Sequence, residues 1–135
     1  MKRILISAAV VATSTLLLAG CAAGGTASSD CTTINNEIRD VSNGAQNTLV
    51  STAESADIQS NLEGYSERIV ALEDGASDAV KTALGALDDA LGSAAEFAAT
   101  LPDGEDAERD GDAIAGQQSA IADAADAAKA ACTTE

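Results

Sequence analysis

The chain has 135 residues, room for one small domain, and carries 22 Asp and Glu against 7 Lys and Arg, with no His and no Trp. Such an anionic surface repels nucleic acid and anionic headgroups, and the lack of His excludes a Ser-His-Asp triad, a Cys-His pair and a His-ligated zinc site. Residues 31–135 hold only 18 Leu, Ile, Val and Phe side chains, but a single Pro and clear helical periodicity predict a folded, all-α domain with a thin core rather than a disordered chain.

The N-terminal segment opens with Lys2-Arg3, a short basic region, followed by the uncharged and mostly apolar run Ile4–Leu18. This is the anatomy of a signal peptide. The run ends in Leu18-Ala19-Gly20-Cys21, which resembles the lipobox of bacterial lipoproteins residue for residue. The resemblance covers the first 21 residues. It implies that a lipid is attached to Cys21, that a peptidase cuts just before it, and that the domain is held on the outer face of the cell membrane. The alternatives are a plain secretory leader and a retained span. The segment Ala22–Ser29 is Ala, Gly, Ser and Thr with no basic stop-transfer cluster, which argues against the span. The expected organisation is a signal peptide over 1–20, a lipidated cysteine and flexible tether over 21–30, and a helical domain over 31–135. Without Lys2 and Arg3 the processed chain keeps five basic residues against the same 22 acids.

With Cys21 lipidated, Cys31 and Cys132 remain, one near each end of the domain. In an exported protein such an even pair reads as a disulfide. There is no Cys-x-x-Cys, so a redox motif is not indicated.

Steps of three and four run through Cys31, Ile34, Ile38, Val41, Ala45, Thr48 and Thr52, the stripe of a first helix. Its phase is lost near Thr52–Ala56, where Ser51 and Glu54 have capping-box spacing. A second stripe holds Ile58, Leu62, Tyr65, Ile69 and Leu72. Asp74-Gly75 signals a turn and Ser77 an N-cap. A third holds Val80, Leu84, Leu87, Leu91, Ala94, Ala98 and Leu101, closed by Pro102-Asp103-Gly104. A fourth, rich in Ala, holds Ala107, Gly111, Ile114, Gln118, Ile121, Ala125, Ala128 and Cys132.

The break at Gly75 is the open point, because Ala76, Ala79 and Ala83 would carry one long helix through it. The cysteines favour four helices. In an antiparallel four-helix bundle the chain's two ends lie together, so Cys31 and Cys132 can meet. With three helices they lie at opposite ends, beyond the ~7 Å that a disulfide spans between Cα atoms.

No phosphate-cradling glycine loop and no dinucleotide fingerprint occurs. The carboxylates fall on polar faces, and the chain is not expected to be an enzyme or to hold a cofactor beyond the covalent lipid. One acidic run, Glu105–Asp112, spaces Asp106, Glu108, Asp110 and Asp112 alternately with Gly111 among them. It resembles the opening of an EF-hand calcium loop. It departs from that loop at Glu108, where Asp or Asn is usual, at Ala113, and at Gln117, where the bidentate Glu belongs. The plainer reading is an acidic loop that opens the fourth helix, its carboxylates favoured by the helix dipole, and Arg109 among the acids favours it. The chain is similar in composition to small helical lipoproteins of high-GC Gram-positive bacteria. The expected role is a structural or interaction module of the cell envelope, with a protein or cell-wall partner. The alternative is a calcium-binding lipoprotein.

Overall fold

The computed structural model describes residues 26–104 and 106–133. The leader over 1–20 and Cys21 lie outside them. Four α-helices follow one another: α1 (Thr26–Leu49), α2 (Ser55–Leu72), α3 (Asp78–Ala98) and α4 (Gly111–Thr133). There is no strand among the described residues. None of these helices is long and apolar enough to cross a membrane.

Each helix packs on two others in cyclic order, α1 on α2 and α4, and α3 on α2 and α4. Two five-residue connections and one longer loop join them, which makes successive helices antiparallel. The two ends of the bundle therefore differ. One holds the start of α1, the α2–α3 turn and the end of α4. The other holds the α1–α2 connection and the α3–α4 loop, and is called the loop end below. Cys31 and Cys132 close the first end as a disulfide, with their Cα atoms 5.5 Å apart.

The buried residues are the predicted stripes almost throughout. Ile34, Ile38, Val41 and Ala45 of α1, Ile58, Leu62 and Ile69 of α2, and Val80, Leu84, Leu87, Leu91, Ala94 and Ala98 of α3 form one core with Ile114, Ile121, Ala125, Ala128 and Cys132 of α4. Leu and Ile side chains each contribute about 1.5–3 kcal/mol on burial. An Ala contributes much less, so α1 and α3 supply the most large apolar side chains to the core and α4, with Ile114 and Ile121 alone among its large aliphatics, the fewest.

Three boundaries differ from the sequence reading. First, α1 begins at Thr26, so the last part of the segment expected to be a flexible tether is helix. The uninterrupted helical pattern that starts at Cys31 extends back through Ser and Ala residues, which tolerate a helix once a packed segment nucleates it. Second, α1 stops at Leu49, which is buried, so the stripe ends on Leu49 and not on Thr48 and Thr52. Ser51 closes the last turn, its N–H (3.1 Å) and its hydroxyl (2.7 Å) both donating to the Thr48 carbonyl. Third, α4 begins at Gly111, so Ala107 belongs to the preceding loop. The reason is Asp110, whose Oδ1 accepts from the N–H groups of Asp112 (3.0 Å) and Ala113 (3.1 Å) and so fixes the helix start.

The break between α2 and α3 is real. Gly75 has φ +88°, a left-handed conformation that costs a residue with a Cβ. Ser77 then caps α3 through its hydroxyl, which accepts from the Val80 N–H. Gly44 of α1 makes room for the phenolic end of Tyr65 of α2, because a Cβ at Gly44 would clash with the Tyr65 hydroxyl oxygen and with Cζ at 2.6 Å.

Candidate functional site

A concavity lies at the loop end. It is a half-enclosed cleft of about 780 Å³ between the connection Val50–Glu54 and the α3–α4 loop. Its apolar lining comes from the buried Leu49 and Ile114, the partly buried Ala53 and Ala107, and the exposed Val50. Asp103, Glu54, Arg109 and Gln118 supply its polar groups.

Arg109 is the clasp of this end. It comes from the α3–α4 loop and its side chain is only 17 % exposed. Nη1 donates to the Ser51 carbonyl (2.8 Å), Nη2 to the Ala53 carbonyl (2.6 Å), and Nε reaches the Pro102 carbonyl at 3.4 Å. The planar five-donor guanidinium suits such a set of carbonyls in a way that an ammonium does not. One side chain thus ties two connections that lie more than 50 residues apart in sequence.

Asp103 makes the second tie. Its Oδ1 accepts from the Ser55 N–H (2.7 Å) and its Oδ2 from the Ser55 hydroxyl (2.8 Å). Glu54 stands at the N-cap of α2 but makes no capping bond with its side chain, so the carboxylate that satisfies the start of α2 arrives from the other loop. These hydrogen bonds, the backbone one foremost, hold the Asp103 carboxyl below its ordinary value of 3.8, with a smaller contribution from Arg109 at 3.9 Å. Gly104, at φ +119°, turns the chain immediately after Asp103. Gln118 of α4 donates to the Gln46 carbonyl of α1 (3.0 Å) and anchors the cleft's inner wall.

The four residues considered as calcium ligands are not gathered. Asp106 and Glu108 are exposed on the loop, Asp110 is spent on capping α4, and Asp112 lies in the first turn of α4. Among the described residues no group of three or more Asp, Glu or Cys side chains is arranged to hold a metal ion. The clasp was not visible in sequence. Its one signal was Arg109 itself, a lone cation in an acidic run, and that signal does not say which carbonyls it reaches. Asp103 reads in sequence only as part of a helix-ending turn.

No protein-family model matches the chain, and neither curated proteins nor solved structures give a significant match.

Proposed function

We propose that the chain is a lipid-anchored, extracytoplasmic interaction module, held at the membrane through Cys21 and presenting the loop-end cleft to a partner of the cell envelope. The reading starts from the Leu18-Ala19-Gly20-Cys21 motif, and the Cys31–Cys132 disulfide is the observation that carries it. A disulfide that joins the two ends of a small domain belongs to an oxidising compartment, which is where the motif sends the protein.

The shape of the domain supports the orientation. Between Cys21 and the start of α1 at Thr26 lie four residues, a reach of at most about 14 Å. The 24 residues of α1 then span about 36 Å. A domain tethered at Cys21 keeps its disulfide end towards the membrane and its cleft towards the far side. The anionic surface favours standing off an anionic bilayer rather than lying on it.

Metabolic labelling with a palmitate analogue in a lipoprotein-processing bacterium tests the anchor. The full chain is expected to take up label and to fractionate with membranes. The Cys21→Ser variant is expected to do neither. Equal labelling of the two chains, or no label in either, contradicts the anchor.

A further inference from the structure

We infer that the loop-end cleft receives a basic peptide segment of a partner protein, with an aliphatic side chain seated on Val50, Ala53 and Ala107 and flanking Lys or Arg side chains on the acidic rim. The inference deepens the interaction-module reading given above and rests on it for the biological setting, while the binding itself does not need the lipid.

Charge is the first argument. The loop end concentrates acids: Glu54, Asp103, Asp106, Glu108, Asp110 and Asp112 all lie on it, and Arg109 is its one basic residue among those described. That guanidinium is occupied by backbone carbonyls. The other cations sit along or towards the disulfide end, at Arg39, Arg68, Lys81 and Lys129. Potential from such a one-signed end steers a cationic segment and rejects an anionic one. The Glu54 carboxylate has no capping duty and is exposed at the cleft wall.

Shape is the second. Val50 is 58 % exposed, one of two large apolar side chains left in solvent among the described residues, and it lines the cleft. Covering it removes apolar area from water in a cleft that Glu54 and Asp103 also line. A volume of about 780 Å³ holds several side chains and far exceeds what a bare cation needs. Both walls are already fixed, one to the other, by Arg109 and Asp103, so an incoming segment need not order them. A peptide fits better than a small amine because the cleft sets the exposed apolar surface of Val50 beside the carboxylates of Glu54 and Asp103, which a segment carrying both aliphatic and cationic side chains meets at once.

Fluorescence anisotropy tests this, with full-length protein in non-ionic detergent at physiological salt. The probe is a labelled, end-capped peptide of alternating Lys and Leu, and the control is its counterpart with Glu in place of Lys. The Lys peptide is expected to bind saturably at one site, weakening as salt rises, and the Glu peptide is expected not to bind. Val50→Ser and Glu54→Gln are suitable variants, since Val50 is exposed and Glu54 makes no cap bond. Each is expected to weaken binding roughly tenfold while thermal unfolding stays in place. Binding untouched by both substitutions, equal binding of the two peptides, or no binding overturns the inference. Peptide binding by a chain that takes up no lipid contradicts the anchor alone; a labelled chain that ignores the peptide contradicts the cleft assignment alone.

Discussion

At the scale of single residues, Arg109 has the largest local consequence. Removing it leaves the Ser51 and Ala53 carbonyls without their donors and frees two loops at once. Hydrogen bonds from a charged donor in a mostly buried site are worth more than those at the surface. Arg109→Met is expected to lower stability by roughly 2 kcal/mol, and Arg109→Lys to recover little of it, because an ammonium cannot span the same acceptors. Urea unfolding of the three proteins measures both. Equal stability of the Lys variant and the parent would contradict the clasp geometry.

Asp103 gives the pH dependence. Its carboxyl ionises more readily folded than unfolded, because Ser55 donates twice to the charged form. Its contribution is therefore present at neutral pH and is lost as pH falls below 3.8 through the lower folded value. Asp103→Asn is expected to be less stable than the parent near neutrality, with the gap closing in strong acid. A gap that widens on acidification would reverse the assigned sign. Neither side chain could be placed from sequence. Both act across loops some 50 residues apart, and hydropathy periodicity carries no information about such pairs.

Gly44 and Tyr65 mark the step from residue to element. An Ala in a helix is favoured over Gly by about 1 kcal/mol, but here its Cβ would displace the Tyr65 ring, which also lies under Arg68 at 5.5 Å. Gly44→Ala is expected to destabilise the parent by about 1 kcal/mol and to stabilise a Tyr65→Ala background. A double-mutant cycle reads that change of sign; the same sign in both backgrounds would mean that the close approach of α1 and α2 does not depend on Gly44.

At the scale of elements, the four helices were legible because each carries its own stripe and two of the three breaks have a residue that signals them: Gly75 and Ser77 between α2 and α3, and Pro102 after α3. The three-helix alternative failed on the cysteines, which only an even number of antiparallel helices brings together. Helix edges were less legible. The start of α1 at Thr26 and of α4 at Gly111 depend on propagation and on the Asp110 cap, not on apolar spacing. The elements are also unequal in hold. The core positions of α4 include Ala125 and Ala128, where α3 has Leu84, Leu87 and Leu91. Cross-linking α4 to α1 closes a loop of about 100 residues, for which chain entropy gives about 4.7 kcal/mol. Reduction is expected to lower the melting temperature by well over ten degrees and to raise hydrogen exchange in α4 before α2 and α3. Uniform acceleration across all four helices would show that α4 is not the weak member.

At the scale of the whole molecule, the two ends of the bundle differ in charge and in build. One end holds the disulfide and the start of α1; the other holds a cleft clasped by Arg109 and lined by Glu54 and Asp103. The sequence pointed to the first end through its cysteines. It was silent on the cleft, which is built from two connections that touch only after the helices pack. The proposed anchoring requires that residue 21 carry lipid while residues 31 and 132 are joined. Mass spectrometry of non-reduced peptides from membrane-extracted protein tests both together. The expected result is a mature N-terminus at a diacylated Cys21, together with a Cys31–Cys132 cross-linked peptide; an intact leader with a free thiol at Cys21 would overturn the anchor.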